Sequence, residues 1–383
     1  MLKRTESSRL TSWYFEIDRK LLFAAVILAL IGMWAMVSAG SVAAERMNPP
    51  NPWHFFLIKA LPFYGIGLLT LFLSSALPKN WVMRVAWANV AICLLLLLIT
   101  LVHPAVVKGS ARWVALPGFG SVMPSDLMKP GFIILTAWFL TRMEKITNGA
   151  NIFLSKSAWR WDGWPAYLAV FAPTLLIILR HPDVGTAMLY LAVFVAMIFL
   201  AGLPIWFVPI FISLGGLAGV FAFFTMAHFH GRILMWLGLA GGADNYQIKK
   251  SVEAIKHGGL LGSGEDAFIK QSLPDAHTDF IYSAIAEDSG ALLAIALLCG
   301  FLYILKRLAD DARGARDKFV FYVAGGVFAL FGAQVCINIA SALGVFPPKG
   351  MTLPFISYGG SSFVAFCLLF GLLLALVRED RWK

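Results

Sequence analysis

The sequence predicts an all-α polytopic integral membrane protein with about ten transmembrane helices and one long extracytoplasmic loop. Composition is the first observation: 59% of the 383 residues are hydrophobic and only 14% are charged, and the mean hydropathy is +0.77. A soluble core of this size could not bury so much apolar surface. Pattern is the second observation, because the apolar residues form continuous runs and do not alternate with polar ones, which excludes a β-barrel.

About ten apolar segments are long enough to cross a hydrocarbon core of roughly 30 Å, for which a helix needs about 17 to 25 residues. Approximately, they span residues 21–43, 56–76, 84–106, 124–143, 164–180, 183–201, 204–227, 280–305, 318–342 and 355–377. The first is too long for a signal peptide and lacks a small-residue cleavage site, so we expect it to remain as an anchor. Residues 1–383 are predicted to form one transmembrane domain, with terminal tails at 1–20 and 378–383.

The distribution of Lys and Arg predicts the orientation. If both termini are cytoplasmic, most of these cations fall in cytoplasmic loops and tails. The short outer loops then hold only Arg46, Lys59, Lys108, Arg112, Arg180 and Lys349. This asymmetry favours cytoplasmic N- and C-termini. The formal net charge of +10 is therefore mostly topogenic, and its spread over many loops speaks against a nucleic-acid partner.

One predicted connection, residues 228–279 between the seventh and eighth segments, is far longer than the others and lies on the outer face. Loops of this length are usually functional or disordered. Ile248, Val252 and Ile255 recur at helical spacing, which predicts an amphipathic helix over 245–257 that ends at Gly258. Two interpretations stay open: a helix on the membrane surface, or a solvated loop helix.

Charged residues at the ends of the predicted helices are candidates for a functional site. An Asp at a helix centre costs about 2.5 to 3.5 kcal/mol on insertion scales, so such residues usually serve function. Asp279 stands where the chain enters the eighth segment, and Asp183 stands at the start of the sixth. Asp126 and Lys129 are three residues apart and are expected to pair on one face of the fourth helix. Helix capping alone is the alternative for Asp126.

Two further stretches place polar residues on the same predicted face. Lys108, Arg112 and Trp113 could meet an anionic headgroup, although topological noise also explains them. Residues 354–362 follow Lys349 and are too rich in Pro, Gly and Ser to begin a regular helix. Irregular backbone at membrane depth is tolerated only where it lines a cavity or is buried in protein.

Four motifs together resemble the ordered signatures of a known family. They are KGSARW followed by PSDLMKP, HPDVGTA, PDAHTDFIYSAIAEDSG and KGMTLPFISYGGSS. In this order, over nearly the whole chain, they are similar to the SEDS family of cell-wall polymerases, whose division member is FtsW and elongation member RodA. The wording KGMTLPFISYGGSS and the long loop ending in LPDAHTDF look more like FtsW than RodA.

The resemblance implies a peptidoglycan glycosyltransferase that polymerises lipid II into β-1,4 glycan strands at the outer face of the bacterial cytoplasmic membrane, for septal synthesis at the division site. Asp279 matches the family's essential aspartate in the HTDF motif, and is expected to be the general base that deprotonates the acceptor hydroxyl. Because the donor is α-linked to diphosphate and the product is β-linked, direct displacement inverts the anomeric centre. No covalent enzyme intermediate is needed.

The leaving diphosphate needs cations or a metal to stabilise its charge. Candidates for this role are Lys108, Arg112, Lys129 and Lys349. Asp126 and Asp183 are expected to hold Lys129 or, with Asp279, to ligate a divalent cation, Mg²⁺ or Mn²⁺. Further substrate-binding candidates are Trp113, His277, Thr278, Ser357, Gly359, Gly360 and Ser361.

The sequence departs from the family's usual wording at several positions. The family commonly has Glu at the positions of Asp126 and Asp275, Gln at that of His181, and Glu-Glu at 287–288. His181 is interpreted as an ordinary loop histidine. Two roles stay open for His277, which either tunes Asp279 or caps the eighth helix. Two also stay open for Glu287, which either faces the cavity or forms a structural pair.

The resemblance also implies partners: lipid II and the growing glycan strand, a class B penicillin-binding protein that acts as transpeptidase, other divisome membrane proteins, and membrane lipids. Two rival functions remain. A transporter that flips lipid-linked precursor would also need a polar cavity and broken helices. A noncatalytic scaffold for the transpeptidase would leave Asp126, Lys129, Asp183 and Asp279 unexplained.

Overall fold

The computed structural model describes residues 9–47, 49–103, 105–107, 110–116, 120–181, 183–236, 243–347 and 350–382. The helices are α1 (Arg9–Glu16), α2 (Arg19–Glu45), α3 (Phe55–Ser75), α4 (Lys79–Val102), α5 (Pro124–Leu127), α6 (Lys129–Ile146), α7 (Trp164–Arg180), α8 (Val184–Leu200), α9 (Phe207–Thr225), α10 (Ala227–Trp236), α11 (Ala243–His257), α12 (Ile269–Ser272), α13 (Ile281–Gly314), α14 (Lys318–Ala342) and α15 (Gly360–Trp382). Single 3-10 turns lie at Lys156–Trp159 and Gly264–Asp266.

Each predicted apolar segment overlaps one of these helices, and the polytopic helical class is confirmed. Within the described residues, seven helices are long and apolar enough to cross a membrane by length and composition: α2, α3, α4, α9, α13, α14 and α15. The helices α7 and α8 are apolar but have only 17 residues each. The helix α6 has 18 residues and carries Lys129, Arg142, Glu144 and Lys145.

A small sheet that hydropathy did not predict lies between α4 and α5. Strands β1 (Ala105–Val107), β2 (Ser110–Leu116) and β3 (Gly120–Val122) pair antiparallel in the order β1-β2-β3. The third apolar segment was predicted to reach residue 106, but α4 ends at Val102 and His103 is already non-helical. A proline follows His103 in the sequence, and a residue before proline disfavours the helical conformation.

The core surrounds α15, which is buried along most of its length. Phe331 of α14 and Phe370 of α15 lie 5.5 Å apart between ring centroids, and Phe355 packs edge-on to Phe370 at 5.1 Å. Phe355 belongs to the irregular segment before α15 and has a positive φ of 65°. A Cβ on Gly32 of α2 would lie 2.4 Å from Phe355 O. The irregular segment is therefore buried in protein, as expected for broken backbone at this depth.

The predicted amphipathic helix exists as α11, and one of its faces is covered by protein. Ser251 is buried, and its hydroxyl lies 2.6 Å from Ser283 Oγ of α13 and donates to Ala342 O of α14 at 2.6 Å. Ala254, one turn later, is also buried. This face therefore packs on α13 and α14, whereas the predicted apolar stripe of Ile248, Val252 and Ile255 is only half-buried. The membrane-surface and solvated interpretations of the helix stay predictions.

The turn after α11 lies against a kink in α13. Gly290 interrupts α13 with φ 79° and ψ 178°, a conformation that is essentially restricted to glycine. Ala291 N donates to Gly259 O at 2.8 Å, and Ser263 N donates to Glu287 O at 2.8 Å. A Cβ on Gly290 would lie 2.3 Å from Leu260 O. The kink thus lets the backbone of α13 bond directly to the backbone of residues 259–263, and it fixes the turn that follows α11.

Candidate functional site

Asp279 lies in the non-helical turn between α12 and α13. Its backbone N–H donates to Asp275 O at 3.1 Å, and Asp275 itself has a positive φ of 54°. The Asp279 side chain is half-buried. A small recess lies beside it and is lined by Asp279, Phe280, Ile337, Asn338, Ser341, Gly350 and Met351. The turn therefore presents a carboxylate at the mouth of a recess between α13, α14 and the segment before α15.

The guanidinium of Arg112, on β2, lies near Gly350 at the same recess. A Cβ built on Gly350 would lie 3.7 Å from Asp279 Oδ2 and 3.9 Å from Arg112 NH2. Gly350 has φ 69°, which favours glycine. The fold thus brings a predicted base and a predicted cation, which are far apart in sequence, next to the same residue without a side chain.

Asp183 holds Arg112 in place. Its Oδ1 lies 2.9 Å from Arg112 NH1 and accepts from Thr186 N at 3.3 Å, which makes Asp183 the N-cap of α8. Asp183 is buried, whereas the Arg112 side chain is partly exposed. The expectation that Asp183 holds Lys129 is therefore corrected, because its ion-pair partner is Arg112.

The predicted pairing of Asp126 with Lys129 is confirmed. Lys129 Nζ lies 2.7 Å from Asp126 Oδ1 and donates to Gln334 Oε1 at 2.9 Å. It also lies 5.6 Å from the Phe366 ring centroid. Lys129 is only 3% exposed. Its charge is thus compensated inside the bundle by a carboxylate, an amide oxygen and an aromatic face.

Ser357 connects the irregular segment before α15 to the Asp279 turn. Its hydroxyl donates to Thr278 O at 2.6 Å and accepts from Leu353 N at 2.8 Å. Tyr358 N donates to His277 O at 2.9 Å. These bonds fix two consecutive carbonyls just before Asp279.

The Gly-Ser part of this segment packs instead of lining the recess. Ser357 and Ser361 are buried. A Cβ on Gly360 would lie 2.4 Å from the Phe63 ring, and one on Gly359 would lie 2.8 Å from Thr352 Cγ2. These residues pack in the walls of the site, and their role in binding substrate stays a prediction.

His277, Thr278 and Trp113 also take structural places. His277 is buried and packs against Phe56 in a tilted arrangement, with 4.4 Å between ring centroids. It does not cap the eighth predicted segment, since the N-cap of α13 is Phe280 and makes no side-chain cap bond. Thr278 Oγ1 donates to Asp275 O at 3.2 Å. Trp113 lies in β2 opposite Ala105 and is half-buried.

The question left open for Glu287 is resolved in favour of a structural pair. Its carboxylate is buried and accepts from the backbone N–H groups of Ile269 and Lys270 at 2.7 and 2.6 Å, and it lies 3.0 Å from His257 Nδ1. Asp288 pairs with the Lys270 ammonium. These carboxylates anchor α12 and the end of α11 to α13, away from the recess.

Two predicted cations cannot be placed, a predicted loop histidine can, and two of the predicted metal ligands pair with cations. Lys108 and Lys349 lie outside the described residues. His181 Nε2 is 3.0 Å from Thr100 Oγ1, in keeping with an ordinary loop histidine. Within the described ranges no group of three or more His, Cys, Asp or Glu residues could hold a metal ion. The carboxylates of Asp126 and Asp183 face cations instead, so the three predicted ligands do not fit a protein-held metal.

Sequence reasoning missed two amides, Gln334 and Asn338 of α14. Gln334 Nε2 donates to Thr352 O at 2.9 Å, and Asn338 Nδ2 donates to Met351 O at 2.7 Å. The signal was present, since both are uncharged polar residues one turn apart inside a predicted membrane span. Polar residues in such spans deserve the same weight as charges.

The fold and site together define a polytopic helical membrane protein with an acidic group, a guanidinium and a buried ion pair gathered at one end of the bundle. The sequence profile of the FtsW/RodA/SpoVE family, described as "Cell cycle protein", matches residues 19–382. The chain belongs to this family.

Relatives match along nearly the full length. A protein of Caulobacter vibrioides named probable peptidoglycan glycosyltransferase FtsW is 35% identical over 382 residues, which is 98% of this chain and 93% of the relative. Stage V sporulation protein E of Bacillus subtilis is 32% identical over 378 residues, 95% of this chain and 98% of the relative.

Solved structures agree with the fold. One chain, from work on how a peptidoglycan synthase complex coordinates polymerization and crosslinking, has a TM-score of 0.75 at 26% identity, covering 96% of this chain and 99% of that one. The rod shape determining protein RodA of Thermus thermophilus has a TM-score of 0.65 at 25% identity, covering 96% of this chain and 98% of that one.

Proposed function

We propose that this protein is a peptidoglycan glycosyltransferase that polymerises lipid II into β-1,4 glycan strands at the outer face of the cytoplasmic membrane, for septal synthesis in cell division. The family membership and the names of its relatives support the reaction class. The observation that carries the proposal is that the Asp279 carboxylate and the Arg112 guanidinium both lie beside Gly350, at 3.7 and 3.9 Å from the position its Cβ would take. One group can take a proton while the other faces a leaving anion.

In the proposed reaction the acceptor's sugar hydroxyl attacks the anomeric carbon of the donor. The new C–O bond forms as the bond from that carbon to the diphosphate oxygen breaks. Asp279 accepts the hydroxyl proton, and the diphosphate leaves with the bonding electron pair. The half-buried position of Asp279 suits a general base, because it is reachable from outside yet held by the turn. Direct displacement inverts the α-linked donor to a β-linked product.

Arg112 is the proposed contact for the leaving diphosphate. Its guanidinium offers several donors in a fixed plane, which matches phosphate oxygens. Asp183 binds NH1 at 2.9 Å, so one side of the guanidinium is anchored while NH2 lies at Gly350. Lys129 is not proposed to touch substrate, since it is buried and already compensated by Asp126 and Gln334. Its role is to hold that part of the bundle.

The experiment is polymerisation of lipid II by the purified protein, alone and with its partner. Asp279→Asn is expected to lower the rate by about 10²- to 10⁴-fold, the range for loss of a general base. Asp275→Asn is the matched control, because it makes the same chemical change four residues earlier and Asn tolerates a positive φ well. Retained polymer in Asp279→Asn would remove the role assigned to Asp279.

A lipid II transporter is the second candidate, and the buried Asp126–Lys129 pair is the observation that favours it, since transporters keep ionised groups between helices. The same preparation separates the two functions. Lipid II that crosses liposomes while no polymer forms under any condition would establish transport and overturn the polymerase proposal.

The proposal includes a class B penicillin-binding protein as partner. It also places this chain in a bacterial inner membrane with its own N- and C-termini in the cytoplasm. The similarity to a chain of a peptidoglycan synthase complex supports the partner. Co-purification of the two proteins, with polymerisation measured for each preparation, tests it. A divalent cation remains a proposal only as a companion of the substrate diphosphate. Activity that is indifferent to EDTA would remove it.

A further inference from the structure

Two buried amides on α14 bridge the parts of the site. Gln334 and Asn338 lie one helical turn apart and are 1% and 2% exposed. They stand in a helix that is otherwise strongly apolar. Polar side chains inside a membrane-spanning helix usually face the protein interior and serve function. Their contacts show what they hold.

Asn338 joins the Asp279 turn to the segment before α15. Its Nδ2 donates to Asp279 O at 3.0 Å and to Met351 O at 2.7 Å. Both partners are carbonyl oxygens, which only accept, so the amide nitrogen must face them and the orientation of the side chain is fixed. Both N–H bonds of the amide are therefore used on backbone that borders the recess.

The other end of the Asn338 amide is unusual. Its Oδ1 is buried and has no hydrogen-bond partner within the described part of the chain. An unpaired buried acceptor costs about 1–3 kcal/mol, and such groups in folded proteins call for an explanation. The unpaired oxygen thus offsets part of what the two N–H bonds contribute to stability. The use of the amide that the structure shows is to hold two carbonyls together.

Gln334 continues the bridge in the other direction. Its Oε1 accepts from Lys129 Nζ at 2.9 Å and its Nε2 donates to Thr352 O at 2.9 Å. The two amides thus donate to the consecutive carbonyls of Met351 and Thr352. Asn338 also bonds to Asp279 O, and Gln334 also bonds to Lys129 of the Asp126–Lys129 pair.

We infer that Asn338 is a positioning residue for Asp279. By tying Asp279 O to Met351 O, it fixes the base against the segment that begins at Gly350, where the Arg112 guanidinium also lies. Asn338 acts through backbone and does not touch substrate. This inference rests on the proposed glycosyltransferase function and adds a residue that sets the geometry of its base.

The test compares steady-state kinetics of lipid II polymerisation for wild type, Asn338→Ala and Asn338→Leu. A 1 Å misplacement of a reacting group can cost about 10²-fold, so kcat is expected to fall by about 10- to 100-fold in both variants. KM is expected to stay within about threefold, because an interaction that acts only in the transition state changes kcat and kcat/KM together. The leucine variant keeps the branched shape and the number of side-chain heavy atoms, so it separates loss of the bonds from the effect of a cavity.

Val335→Ala is the matched control. Val335 is 3% exposed on the same helix and does not line the recess. Its truncation should lower the midpoint of thermal unfolding while kcat, measured below that midpoint, stays near the wild-type value. A kcat for both Asn338 variants equal to that of the control would overturn the inference. So would a change in KM alone, or failure of both variants to fold.

The two proposals fail differently. If wild type does not polymerise lipid II, the proposed function falls and the positioning role falls with it. If wild type polymerises and Asp279→Asn does not, while Asn338→Ala and Asn338→Leu keep the wild-type kcat, only the positioning role is refuted.

Discussion

Replacing Glu287 tests whether one buried carboxylate anchors the long loop to α13. Its side chain is 0% exposed. Oε1 accepts from Ile269 N at 2.7 Å and lies 3.0 Å from His257 Nδ1, and Oε2 accepts from Lys270 N at 2.6 Å. Glu287→Leu removes both oxygens and puts an apolar side chain in their place. Two backbone N–H groups of α12 then lose their partners.

The magnitude follows from those two donors. Each buried donor left unpaired costs about 1–3 kcal/mol, so Glu287→Leu should lower the free energy of opening this loop by about 2–6 kcal/mol. Glu287→Gln keeps one carbonyl oxygen and should lower it by about 1–3 kcal/mol. Because 1.4 kcal/mol is a factor of ten, a loss of about 3 kcal/mol would speed amide exchange roughly 100-fold.

The assay is hydrogen exchange read by mass spectrometry on the purified protein in detergent, for peptides that cover residues 264–273. Glu265→Gln is the control, since Glu265 is exposed in the same loop and should leave exchange unchanged. Exchange at Ile269 and Lys270 within about twofold of wild type in Glu287→Leu would refute the idea that this carboxylate holds the loop.

Three further predictions concern stability. Lys129→Met should lower the free energy of unfolding by about 3–5 kcal/mol, because it leaves the carboxylate of Asp126 without its partner. Thermal unfolding in a double-mutant cycle with Asp126→Leu should show that the two effects are coupled. Effects that simply add would contradict this. Gly290→Ala should lower the unfolding midpoint, since φ 79° and a Cβ only 2.3 Å from a backbone oxygen leave no room; an unchanged midpoint would contradict this. Burial raises the pKa of Asp317, but hydrogen bonds from Lys79 and from its own helix N-terminus outweigh burial and hold that pKa below its usual value. A carboxyl group whose folded pKa is lowered stabilises the protein above the unfolded pKa of about 3.9, and this stabilisation is lost as the pH falls through the folded pKa. Asp317→Asn should therefore make the unfolding midpoint less dependent on pH below about pH 4. The change in the free energy of unfolding should be less than about 1 kcal/mol, because the Lys79–Asp317 pair is partly exposed.

Much of the fold could be read from local pattern. Runs of apolar residues predicted the helices, since a segment that crosses lipid must satisfy its own backbone. The Asp126–Lys129 pair was predictable because residues three apart share a helix face. The small sheet was not, because β1, β2 and β3 are short and their pairing depends on turns that hydropathy does not report.

The sequence by itself determined the membrane class, the positions of the helices, the family, and the residue types that chemistry at a diphosphate would need. Only the tertiary structure decided how they combine. It pairs Asp183 with Arg112 and bonds Glu287 to the backbone of the long loop. It also bonds Ser357 to Thr278 O and Asn338 to Asp279 O. The physical reason is distance along the chain: helical periodicity fixes neighbours three or four residues apart, whereas these contacts join segments whose approach depends on packing of the whole bundle.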